Sequence, residues 1–532
     1  MTDSDNGYVK GQDRDQLILF PRSIEEYIDE DNAVRLIDEF VDSLDLEELG
    51  FKHFESKDLG GRPAYNPYDL LKLYLYGYLN GIRSSRKLAR ECKRNVELMW
   101  LLRKLTPDFR TISDFRKINV DSIKKVFRKF VELCKGLDLI GGELVGIDGT
   151  KLKAWNSKSR NFNKGKLEYR IRRLELHIAE YLRQLQENDR ERSGEEQPQP
   201  NTQPSSSAGT AERSNSTATS APLFSFSPSS DVASLHARDE IRKLESKKTE
   251  YTNLLTKLRQ TGRSEISFTD PECRAMKNNE RIEPCYNAQV SVDSKFHLIP
   301  EYHVTNEPVD HGWLSFIAKS TKAVLGVEKL DVTADGGFFN IQAMKDCLDN
   351  YIIPYVPEYP TYRKDGKGIP SRDFQKDKFV YDEIGDRFIC PARHELLFRT
   401  WDTDRYGKRM KRYWTENNAC SLCSFRNNCT TNKTKGRIIE RWEYEDVIDE
   451  LRHMTKGEKG LAIIQKRKEL CEHPFGTIKR AFNQGYLLLK GLRKVNAEVG
   501  FSVLAYNMRR VINILGVESI VRRINIIRAN NL

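Results

Sequence analysis

Apolar positions along the chain change their spacing near residue 140. Before that point they recur at helical intervals. Residues 67–79 carry leucines and tyrosines at helical spacing, Asn80 and Gly81 break the run, and Ser84 offers an N-cap for a second helix through Lys87, Arg90, Lys93 and Arg94. A further helix is predicted over 120–135. Helix, short glycine turn and basic helix is the pattern of a helix-turn-helix, although an ordinary helical hairpin presents it too. From Glu143 the pattern becomes that of a buried strand ending at Asp148-Gly149. Charged helical stretches follow at 166–186 and 232–259. Between them, 187–230 is rich in Ser, Pro, Thr, Asn and Gln and has too few apolar groups to offset the entropy of ordering it. The two stretches are expected to form an antiparallel hairpin with a disordered tip. Period-two alternation then marks a strand at 286–293, with 297–305 as its antiparallel partner. Helix 310–325, strand 329–334 ending at Asp335-Gly336-Gly337, helix 340–348 and strand 351–356 complete the pattern.

Composition narrows the class. The chain has 532 residues, 38% hydrophobic and 31% charged, enough for more than one buried core. The first twenty residues do not read as a signal peptide, and no run of eighteen apolar residues predicts a membrane span. Ten scattered cysteines fit a reducing cytoplasm better than a secreted disulfide framework. Residues 451–532 contain sixteen Lys or Arg against five Glu and no Asp, an excess equal to the net charge of +11 of the whole chain. Basic charge gathered in one stretch is the footprint expected for a nucleic-acid partner; a solvated helical tail is the plainer reading.

Without its insertions, the element order from Glu143 is three strands, helix, strand, helix, strand and a late basic helix. This is the order of an RNase H-like α/β (α+β) core. Asp148 and Asp335 lie where strands surface before glycine, and Glu472 lies on the late basic helix. Any one of these acids is more simply a turn residue or a solvated charge. Together they form the donor set for hard divalent cations, two of which can promote phosphodiester transfer. The segments Arg62–Asp69, Thr111–Arg116, Val145–Thr150, Phe268–Lys277, Tyr286–Val290, Thr333–Gly337 and Glu472–Lys479, in this order, resemble bacterial insertion-sequence DDE transposases, most closely the family numbered 1182.

That resemblance implies Asp148 as a shared ligand of two Mg²⁺ (or Mn²⁺) ions, with Asp335 and Glu472 each holding one. It implies Lys479 on a DNA phosphate, with Lys468 and Arg480 beside it. It also implies a homodimer or higher oligomer on double-stranded DNA, bridging element ends and target, in the bacterial cytoplasm at the nucleoid. Relatives carry Tyr and Arg where this chain has Gln465 and Lys468. A catalytically silent DNA-binding descendant and an RNase H-like nuclease that does not join strands are therefore the alternatives. A fourth feature stands apart. Cys390, Cys420, Cys423 and Cys429 resemble a structural zinc site, with His394 as a substitute ligand; an iron–sulfur cluster or free thiols are the alternatives. The expected divisions are an all-α DNA-binding domain at 1–138, the core at 139–165 and 263–360, and an inserted hairpin at 166–262. A cysteine-containing insertion at 361–450 and the glutamate helix with basic helices at 451–532 complete them.

Overall fold

The computed structural model describes residues 23–52, 64–156, 160–193, 230–278, 280–358, 370–403, 409–416 and 419–530. Most of the Ser/Pro-rich tip, 194–229, lies outside the described residues. The chain divides into two compact units, 156–275 and the remainder on either side of it.

In the larger unit a mixed sheet contains β1 (Leu144–Lys153), β2 (Arg281–Asp293), β3 (Glu301–Thr305), β4 (Leu330–Ala334) and β5 (Ile352–Tyr355). Their order across the sheet is β3-β2-β1-β4-β5. β2 is antiparallel to both β1 and β3, whereas β4 runs parallel to β1 and β5 to β4. Residues 284–293 of β2 are buried without alternation, as in a strand covered on both faces. One face carries the helix Trp313–Leu325, whose Thr321 hydroxyl donates to Ser291 Oγ at 2.8 Å. The opposite face, reached by alternate side chains of β1, carries the helix Glu458–Gly476.

β1 does not end at Asp148 as its sequence suggests. β4 pairs with β1 only as far as Ile147, but β2 continues to pair as far as Lys153. Asp148 is thus inside the strand, at the point where one of its two neighbours stops.

The N-terminal segment is helical. Asn66 caps the helix Pro67–Leu79, with Pro67 in its first turn. The helix is buried from Leu70 to Leu79, and Tyr74 and Tyr78 stack on Phe501 at 5.2 and 5.0 Å. The next helix, Ser85–Glu91, is shorter than expected and closes in a turn before Asn95 caps Val96–Leu101. Phe501 belongs to the long helix Leu492–Leu515, so the two ends of the chain share one core. Residues 370–442 contain a five-stranded antiparallel sheet with a small core of Phe374, Phe379, Phe388, Leu396, Tyr413, Cys429 and Ile439. Apolar spacing along 370–442 barely marks this core, because most of its strands are short and carry many charged residues.

The second unit pairs the helices Lys164–Ser193 and Ser230–Thr261. Ion pairs Lys248–Glu175 and Arg259–Glu168 set them antiparallel. A two-stranded sheet closes the base over Phe162, Leu167, Leu255, Leu258 and Ile266.

A buried ion pair links the N-terminal helices to the C-terminal segment. Arg83 Nη1 lies 3.1 Å from Glu498 Oε1, with side chains 4% and 0% exposed. Glu498 also accepts from the N–H groups of Leu488 and Leu489, and Arg83 donates to the carbonyls of Asn483 and Tyr486. Removing one partner strands a charge in the core. We expect Glu498→Ala to lower stability by about 3–5 kcal/mol, read as a drop in urea midpoint. A loss below about 1 kcal/mol would mean that water reaches the pair.

Candidate active site

Asp148 and Asp335 are side by side because of strand register. Ile147 is paired with Ala334 in the parallel ladder. The next residue on each strand is therefore one of these aspartates, with backbones roughly 5 Å apart, the spacing of neighbouring strands. Asp335 caps a short turn by accepting from Gly337 N–H at 2.8 Å. Asp148 accepts from Gly149 N–H at 2.7 Å and has 21% of its side chain exposed. Burial pushes its carboxyl up to about 6, and negative charge on Asp335 and Asp310 adds to the shift, while the Gly149 N–H and Arg467 oppose it. A desolvated carboxylate beside a second one is a strong site for a hard divalent cation.

Glu472 arrives on the helix Glu458–Gly476. This helix can approach because Gly146 has no side chain: a Cβ there would lie 2.8 Å from Cys471 Sγ and 3.3 Å from Leu470 Cβ. Ile463, Leu470, Cys471 and Pro474 face the protein interior, whereas Gln465, Lys468 and Glu472 are exposed. Burial pushes the Cys471 thiol up, Asp148, Asp335 and Glu472 add to this, and Arg467 opposes it. Even so, no three His, Cys, Asp or Glu side chains among the described residues gather closely enough to hold a metal ion as they stand. Register brings Asp148 and Asp335 side by side, Glu472 is not gathered with them into such a group, and the guanidinium of Arg467 stands 3.5 Å from Asp148.

Pro474 neither starts nor visibly breaks the helix but lies inside its last turn. Beyond it the backbone widens into one π-helical turn, Thr477–Ala481, in which Phe482 N–H donates to Thr477 O at 3.1 Å. The extra residue in that turn changes the facing of Lys479. It is half-buried, unlike Gln465, Lys468 and Glu472, with which straight helical geometry would group it, and Arg480 remains exposed. Burial lowers the Lys479 ammonium pKa and Lys151 adds to this, while Cys285 and Asp148 oppose it. Lys479 thus lies within electrostatic reach of Cys285 and Asp148.

Two participants escaped the sequence reading. Arg467 is five residues before Glu472 and is hidden among neighbouring lysines. Asp310, expected only as a helix start, has its Oδ1 bonded to Asn287 Nδ2 at 2.6 Å, Gln289 Nε2 at 2.5 Å and Lys151 Nζ at 3.1 Å. Gly149 allows this approach, since a Cβ there would lie 2.8 Å from Asp310 Oδ1. Only the period-two pattern, which puts 287 and 289 on one face, hinted at the cluster. Phe338, after the second Asp-Gly-Gly, is fully buried core. Cys390, Cys420, Cys423 and Cys429 are distant in sequence from all of these and line a separate cavity together with His394.

Residues 22–118 match the family described as Transposase domain (DUF772), and residues 389–512 match the family described as Transposase DDE domain. The second match contains Glu472 and Lys479. No curated protein matches the chain. Among solved structures, the cryo-EM structure of the piggyBac transposase synaptic complex with hairpin DNA aligns over 93% of this chain and 79% of that one at 10% identity. Its TM-score of 0.27 is too low to support any structural argument.

The raised carboxyl of Asp148 has a measurable consequence. Its folded pKa, about 6, exceeds the ordinary value of 3.8, so the folded state holds the proton more tightly. Stability is then lost as pH rises from about 4 to 6 and is constant above that. In metal-free protein, Asp148→Asn should gain on the wild type across this window by about 1–3 kcal/mol, measured by thermal unfolding at pH 4.5 and 7.5. An unchanged difference would show that the carboxylate is well solvated.

Proposed function

We propose that this DDE transposase cuts double-stranded DNA at the terminal inverted repeats of an insertion sequence and joins the freed 3′ ends to target DNA, using Asp148, Asp335 and Glu472 to hold two Mg²⁺ (or Mn²⁺) ions. The transposase function itself follows from the two domain matches. The observation that carries the finer reading is the register that sets Asp148 beside Asp335 where parallel pairing stops. The strand order β3-β2-β1-β4-β5, with β2 antiparallel and β4 and β5 parallel to β1, supports an RNase H-like core.

Bound divalent cations would activate the attacking hydroxyl and stabilise the leaving oxygen. The chain's own residues have distinct tasks. Asp148 and Asp335 are held ready by backbone N–H donors. Glu472, exposed on its helix, would complete the set of carboxylates that hold the cations. Arg467 offsets the charge of Asp148. Lys479, tilted inward by the π turn, approaches the scissile or terminal phosphate as a point charge. Lys468 and Arg480, both exposed, extend a basic track along the same segment. The family resemblance adds action as a homodimer or higher oligomer.

Asp148→Asn and Asp335→Asn should each reduce Mg²⁺-dependent cleavage of end-containing duplex by about 100-fold or more, with DNA binding retained in a mobility-shift assay. Cleavage that survives either change would remove that residue from the metal site. Cutting by the wild type without joining of pre-cut 3′ ends would make the protein a nuclease. Binding without any cutting would make it a silent descendant.

A further inference from the structure

The small sheet at 370–442 contains a second constellation that the proposed DNA chemistry does not use. Cys390, Cys420, Cys423 and Cys429 come from three separate turns, yet all line one cavity with about 20 Å³ of free volume. We propose that this cavity is a structural zinc site in which the four sulfurs bind one Zn²⁺.

The local backbone favours thiolates. Cys390 opens the turn Cys390-Pro391-Ala392-Arg393-His394, closed by Arg393 N–H to Cys390 O at 2.8 Å, with Arg393 at φ 64°. The turn folds back so that His394 N–H donates to Cys390 Sγ at 3.2 Å. Backbone N–H groups aimed at a sulfur stabilise its negative form. On the opposite wall the Thr415 hydroxyl lies 3.5 Å from Cys420 Sγ. Gly436, at φ 68°, passes so close that a Cβ would fall 2.8 Å from that sulfur, so the chain closes tightly over Cys420. Cys423 precedes and Cys429 ends the one-turn helix Arg426–Cys429.

The surroundings match the charge of such a centre. A zinc ion with four thiolates carries two net negative charges. Arg437 and Arg426 both line the cavity. Arg437 stacks over Phe379 at 5.6 Å, and its Nε is buried with no hydrogen-bond partner. A buried guanidinium N–H with no acceptor beside four thiols is costly unless negative charge forms there. The cavity has room for a single ion but not for a cluster of irons and sulfides. The thiols do not gather into a metal-holding group as they stand; zinc binding requires that they rotate into the cavity they share. The need for such a clamp is physical as well. Five short strands over seven buried side chains form a core of the size that small folds commonly reinforce with metal.

The test uses the full-length chain purified without chelator. Metal analysis should find one zinc per chain, and titration with a mercurial thiol reagent should release it in step with four sulfurs. Cobalt(II) exchanged into the site should show the visible bands of a tetrahedral thiolate centre. Cys423→Ser should lower zinc content at least tenfold, and Cys347→Ser, outside the cavity, should leave it unchanged. Folded wild type that holds no zinc and takes up no cobalt overturns the proposal, as does iron with sulfide in place of zinc. The wild-type measurements decide even if Cys423→Ser does not fold. None of these readouts depends on DNA cleavage, so failure here leaves the transposase reading untouched.

Discussion

The close seating of one helix on bare backbone at Gly146 governs the arrangement of the site. A glycine in the middle of a buried strand costs stability relative to a residue with a side chain. What it provides here is space: Leu470 and Cys471 settle directly onto β1. That seating determines everything further along the helix. It brings Arg467 against Asp148, places Glu472 on the adjoining flank and delivers the π turn with Lys479 to the same region. A side chain at 146 would push the helix outward and move all three together.

The seating is maintained from behind. After the π turn the chain passes through Asn483 to Leu489, where Leu487 N–H donates to Lys153 O and Tyr486 bridges to Lys153. Arg83 and Glu498 hold the other side of this loop through carbonyls and N–H groups. The N-terminal helices are thereby coupled to the loop that follows Lys479. The coupling is an ion pair almost without solvent, and such pairs define geometry more strongly than they add stability.

Charge around Asp148 is balanced in two layers. On the side of the Glu472 helix, Arg467 offsets Asp148. On the opposite side of the sheet, Lys151 offsets Asp310, which Asn287 and Gln289 also hold. Burial raises the Asp148 carboxyl to about 6 despite Arg467, so desolvation outweighs that cation.

Much of this was legible in the chain by itself, and the rest was not, for a definite reason. Alternation at 286–293, the Asn66-Pro67 helix start, the two charged helices and the Asp-Gly pairs at 148 and 335 are local signals. They depend on neighbours two to four residues away; the helices and the strand appear in the structure, although β1 runs on past Asp148-Gly149 and β2 is buried without alternation. The acids stand out through short motifs, and Lys479 through the family resemblance. What only the tertiary structure decided depends on residues hundreds of positions apart. The continuation of β1 past Asp148 was set by the reach of β2, the partner of Asp148 by the seating of Leu470 on Gly146, and the inward turn of Lys479 by a single widened helical turn. Periodicity along a chain records which face a residue prefers; which opposing group it meets there depends on long-range packing that no local spacing encodes.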